Sequence, residues 1–167
     1  MKGWIVDALQ YKQWAESRII EAVETLPTDG RTMAFARQQL GHMVIVEELF
    51  RSRLCGASPP HTATNVPDPA PLPVLSGRLR ASTRWYLDYA ASLSVDALET
   101  TVAFCFADGL PGSMRREEIL FHIVNHGTYH RGAIGHALDL AGAARPADTY
   151  TVFIHAAQPQ RRAVTLR

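Results

Sequence analysis

Four stretches of the chain carry apolar residues at three- and four-residue steps, the spacing that lines one face of a helix. The first runs from about Trp4 to Leu26, with Ile5, Leu9, Ala15, Ile19 and Val23 in phase, and Pro27-Thr28-Asp29-Gly30 stops it. The second runs from about Thr32 to Leu54 and ends at Gly56. The third, about Val74 to Leu93, keeps Leu75, Leu79, Tyr86, Leu87 and Ala90 on one side. Ser113 is placed to cap the fourth, which runs to about Ala141 and stops at Gly142.

Between the second and third helices, Pro59 to Pro73 holds six prolines in fifteen residues. Each proline removes a backbone donor and fixes φ, so the stretch is predicted as a long crossover loop. Its length lets the two flanking helices run parallel rather than fold back as a tight hairpin. Thr100 to Phe106 is β-branched and aromatic and is bounded by Asp108-Gly109, which predicts a short strand or hairpin arm. Tyr150 to Ile154 has the same character and is predicted as a short extended piece on the bundle. The expected fold class is all-α: one four-helix bundle over residues 1–167 with a long crossover and short extended segments.

Composition changes this picture little. Net charge is +1, and there is no basic run or stripe to meet a phosphate backbone, so nucleic acid is not an expected partner. No apolar stretch nears 18 residues, and Met1-Lys2-Gly3-Trp4 does not resemble a signal sequence, which predicts a cytoplasmic protein with no membrane partner. Cys55 and Cys105 lack a CxxC spacing and read as reduced thiols that fill the core. A chain of 167 residues can bury enough surface to fold without a metal. Any metal is therefore expected for function.

The histidines are the candidate chemistry. On the fourth predicted helix His126 and His130 are four residues apart, hence about 40° apart on the wheel and one turn along the axis. That spacing lets two imidazoles reach one ion. Ile119, Ile123, Ala133 and Ala137 share their face, so the pair points inward, with small residues leaving room for a cavity. His42 on the second helix is surrounded by Phe35, Val46 and Leu49 on the wheel. Burying three neutral imidazoles without partners is costly, and a shared divalent metal removes that cost. Three nitrogen ligands leave a further position for water or substrate.

Other assignments stay open beside this one. A lone core histidine is more often a hydrogen-bonded packing residue, and His122 could pair with His126 instead of lining a cavity behind the ligands. His136 reads as structural, His61 and His155 as solvent-facing. Asn125 and Glu47 are candidates to hold the far nitrogen of a ligating imidazole, and Tyr129 is a candidate ligand contact. Arg131 reads as an ion-pair residue before a substrate anchor. Glu-x-x-His pairs, HExxH, GxSxG, Walker A and GxGxxG are missing.

The segment His122-Ile-Val-Asn-His126-Gly-Thr-Tyr-His130-Arg131-Gly132 resembles the C-terminal signature of the DinB/YfiT-like superfamily, which is unrelated to the DNA polymerase sharing part of that name. Leu40 to Glu48, Tyr11 to Ala15, and Asp148 extend the resemblance over nearly the whole chain. The resemblance implies a four-helix bundle whose metal ligands fall at His42, His126 and His130, and a homodimer, which would account for apolar Phe121 and Val124 on the helix's far side. Packing against the tail would account for them equally. It also implies a metal-dependent enzyme using low-molecular-weight thiols such as mycothiol or bacillithiol, although many members have no established activity. The expected cofactor is one divalent ion, zinc or nickel with iron as a further option, and the expected partner a small-molecule substrate. A transferase, or a hydrolase if water replaces the thiol, competes with a non-enzymatic stress-associated metal- or ligand-binding protein.

Overall fold

The computed structural model describes residues 2–163. Four long helices appear where the periodicity put them: α1 (Lys2–Glu24), α2 (Arg31–Leu54), α3 (Leu72–Ser92) and, after a one-turn helix α4 (Val95–Glu99) and a hairpin, α5 (Arg116–Leu140). α1 and α2 each pack against both α3 and α5, so the helices run α1–α3–α2–α5 around the bundle. α2 and α3 are parallel: Glu48 meets Arg78 and, further along both helices, Arg51 lies over Trp85. The crossover loop between them therefore does what its length allowed.

Local chemistry explains most boundaries. Pro73 sits in the first turn of α3, where its missing N–H costs no hydrogen bond. Ser94 caps α4, its hydroxyl accepting from the Ala97 N–H at 3.1 Å. Strand β1 (Thr101–Cys105) pairs antiparallel with β2 (Pro111–Arg115), and Ser113 lies opposite Ala103 within that hairpin. Ser113 is thus a strand residue and not a cap. The turn at the start of α5 is closed by Glu118, whose carboxylate accepts from the Arg115 N–H at 2.7 Å.

The tail departs from expectation as well. Tyr150–Ala157 is a helix, α6, capped by the Thr149 hydroxyl, not an extended piece. Helical spacing lets Phe153 and Tyr150 pack together on Tyr11, with ring centroids at 5.9 and 5.7 Å, and that contact outweighs the strand preference of the segment. Val124 is buried in the same cluster as Phe153 and Ile154, whereas Phe121 stays exposed beside Trp4. Cys55 and Cys105 are free and exposed; neither fills the core, because each follows the last inward position of its element.

The interior is two apolar clusters, one built on Ile5, Phe50, Tyr86 and Ile123, the other on Ile20, Leu40, Leu79 and Ile134. Between them runs a polar layer. Lys12 is fully buried, with its Nζ 2.6 Å from Glu16 and 2.9 Å from Glu47, and it donates to the Thr83 hydroxyl at 2.7 Å. Ser82 donates to Glu47 and Thr83 to Glu16, each at 2.6 Å. Arg131, 1% exposed, pairs with Asp148 at 2.8 Å on the α5 side of this layer.

Candidate metal centre

The three histidines gather at the α2–α5 seam, at the height of the polar layer. α2 and α5 run antiparallel, so Gln39 meets His130, His42 meets His126, and Phe50 meets His122. The His42 and His126 Nε2 atoms are 3.0 Å apart, and those of His130 and His126 are 3.1 Å apart. Nitrogens bound about 2.0–2.1 Å from one ion lie about 2.9 Å apart at right angles and about 3.4 Å apart at the tetrahedral angle. The observed spacing falls between those limits. Among the described residues no fourth histidine, cysteine or carboxylate joins this group.

Hydrogen bonds at the far side of two rings fix their tautomers. His42 Nδ1 donates to the Thr64 carbonyl oxygen at 2.8 Å, and His130 Nδ1 donates to Gln39 Oε1 at 2.6 Å. As neutral imidazoles, both rings then turn a bare Nε2 lone pair toward His126. A single proton on His126 can bridge to only one of them. One close nitrogen pair is left with lone pairs facing, which a shared cation relieves. The three-histidine group can therefore hold a metal ion, with outer hydrogen bonds of the kind that orient ligating imidazoles.

Electrostatics agree with this. Burial, then the neighbouring histidines and Lys12, press the His126 pKa down to about 3, and burial with His42 presses His130 down to about 4. Both rings are neutral and ready to ligate at neutral pH.

The other sequence candidates separate. His122 does not converge with the three; its ring packs tilted against Phe50 at 4.9 Å and lies 5.3 Å from that of His126. With exposed Asn125 it borders a cavity of about 610 Å³ walled by Trp4, Met114 and Phe121. Asn125 makes no hydrogen bond to a ligand imidazole, and Glu47 is committed to Lys12 and Ser82 in the polar layer. Tyr129 is 74% exposed, its ring edge-on to His130. Phe35, expected beside His42, is exposed, while Val46 and Leu49 are buried as expected. His136 is exposed, and His61 is half-buried against Glu48 rather than free in solvent. His155, also half-buried, donates to the Thr151 carbonyl.

The two imidazole holders missed from sequence are Gln39 and Thr64. Gln39 was within reach, because it lies one turn before His42 on the same face of α2. Thr64 acts through its backbone carbonyl, so no side-chain pattern could show it.

The crossover loop is fastened around the centre. Arg37 donates to the carbonyls of Pro69 and Ala70, and Pro69 packs on Gly41, where an added Cβ would sit 3.1 Å from the proline ring. His61 and Arg78 both reach Glu48, holding that carboxyl below its usual range.

A bundle with three histidines disposed in this way defines a class of helical metal-site proteins. The family model of the DinB family matches residues 2–162, and the chain belongs to that family. No curated protein and no solved structure matches it.

Proposed function

We propose that the protein holds one divalent ion, zinc or nickel with iron as a further option, and uses it to transfer a low-molecular-weight thiol to a small electrophile. The observation that carries this is the convergence of three Nε2 atoms, two of whose rings, those of His42 and His130, are locked by Thr64 and Gln39. A bound divalent ion supplies Lewis acidity, lowering the pKa of a thiol, or of water, in its remaining position so that a nucleophile forms at neutral pH. The neutral histidines keep that charge uncompensated. The cavity beside His122 offers Trp4, Met114 and Phe121 to an apolar electrophile, and Asn125 at its rim can donate to a polar leaving group. Sulfur–carbon bond formation expels that group, and the thiol proton passes to solvent.

Two further parts of the reading go with it. The exposed pair Trp4 and Phe121 suits a contact between two copies of the chain, and the free thiols suit the reducing cytoplasm. No helix among the described residues is long and apolar enough to cross a membrane.

A non-enzymatic metal- or ligand-binding protein is the second reading. It is favoured by the fact that the cavity touches His122 and Asn125 and not the three imidazoles themselves.

Metal analysis by mass spectrometry on untagged protein purified without chelator tests the site. About one ion per chain is expected, lost in His42→Ala and in His130→Ala. Metal-free protein that takes up no zinc, nickel or iron on titration overturns the proposal. A loaded protein that conjugates no thiol to aryl halides or epoxides favours the second reading.

A further inference from the structure

On the side of the bundle opposite the histidines, a cavity of about 710 Å³ opens between α1 and α3, with α6 closing one side. Its charge is lopsided. Arg18, Arg80 and Arg84 line it, against Glu16 and Glu21. Glu16 is turned inward to Lys12 at 2.6 Å, which leaves Glu21 as the one lining carboxylate to set against three guanidinium groups.

Arg80 and Arg84 stand one turn apart on α3 and have no ion-pair or hydrogen-bond partner among the described residues. Like charges at that spacing repel, and a concave wall concentrates their field. A solvated helix face is the ordinary fate of such a pair. Here the exposed pair also rims a hollow whose other side is aromatic. Trp14 and Phe153 meet there with ring centroids 5.8 Å apart, and Arg18 is held over the Trp14 ring at 4.5 Å while donating to the Ala147 carbonyl at 2.9 Å. Thr83 in the lining is already engaged with Lys12 and Glu16, and apart from Glu21 the other acceptors there, Gln10, Gln13 and Ser17, are uncharged.

We propose that this cavity is a second small-molecule site, separate from the histidine centre, for an anion carrying an aromatic body: an aryl carboxylate or aryl phosphate. Arg80 and Arg84 take the anionic head, and Trp14 and Phe153 take the ring.

Isothermal titration calorimetry with benzoate, phenyl phosphate, inorganic phosphate and benzyl alcohol tests it, on wild type, the Arg80→Ala/Arg84→Ala double variant, Arg31→Ala as a surface control, and His42→Ala. Saturable one-to-one binding of benzoate or phenyl phosphate is expected. The double variant should weaken it about tenfold or more, as loss of two charge-assisted hydrogen bonds implies, and the other two variants should not. Whichever aryl anion binds tighter identifies the head group. The assignment is overturned if neither aryl anion binds, or if the double variant leaves binding unchanged. It is equally overturned if His42→Ala abolishes binding, which would put the anion at the metal, or if inorganic phosphate or benzyl alcohol binds as tightly as the aryl anions.

Discussion

At the residue scale the histidine centre depends on a side chain outside the three imidazoles. Gln39 holds the His130 tautomer through one 2.6 Å hydrogen bond. Gln39→Leu keeps the volume and removes the acceptor, so zinc affinity measured against a chromophoric chelator should fall about 10–100-fold, with the far-ultraviolet dichroism unchanged. Gly127 shows a different dependence. A Cβ there would lie 2.9 Å from Arg131 Nη1 and 3.6 Å from Lys12 Cε. Arg131 is anchored by Asp148 and cannot swing aside without breaking a buried ion pair. Gly127→Ala raises helix propensity by about 1 kcal/mol, yet overpacking costs about 1–3 kcal/mol, so urea unfolding should show a net loss.

At the scale of elements, the crossover loop is the part whose role changed most between sequence and structure. Proline composition and length predicted residues 59–73 as a long crossover loop, without saying which groups it would bring to the histidines. Packed on α2, the loop brings the Thr64 carbonyl to His42, and Arg37 pins the stretch that follows. Arg37→Ala removes those donors from a half-exposed position. Faster amide hydrogen exchange over residues 61–70 is expected, with metal affinity reduced less than in His42→Ala. Unchanged exchange would mean that the His61–Glu48–Arg78 contacts hold the loop alone. The tail teaches the complementary point: a segment rich in Tyr, Thr, Val and Phe became α6 because a helix sets Tyr150 and Phe153 on Tyr11 together.

Across the whole molecule, the bundle is cut at mid-height by its buried charges. Lys12 stands between two glutamates, so Lys12→Met leaves carboxylates buried without a cation and should cost about 3–5 kcal/mol at pH 8 by urea unfolding. The layer also links stability to pH. Burial raises the Glu47 pKa from 4.5 to about 7, with Lys12 opposing and Glu16 adding to the rise. The folded chain then keeps a proton that the unfolded chain releases between those values, so this group's contribution to stability falls as pH rises from 4.5 toward 7. Removing Lys12 pushes the carboxyl higher still. The stability lost in Lys12→Met should therefore be smaller at pH 5.5 than at pH 8, and an equal loss at both would show that Glu47 does not carry the proton.

The sequence by itself determined the four long helices, a crossover long enough to let α2 and α3 run parallel, and the inward face of His42, His126 and His130. Those features follow from periodicity and chain length, which act over a few turns and are written in adjacent residues. It did not determine that Lys12, Glu16 and Glu47 would be buried, since a charged residue on a helix reads as solvated until its partner on another helix is known. Nor could it supply the Thr64 carbonyl as a holder of His42, the pairing of Gln39 with His130 on another helix, or the arginine-lined hollow between α1 and α3. Each of these joins residues far apart in the chain, or uses a backbone carbonyl common to every residue. Only the packing of the helices decides which such groups meet.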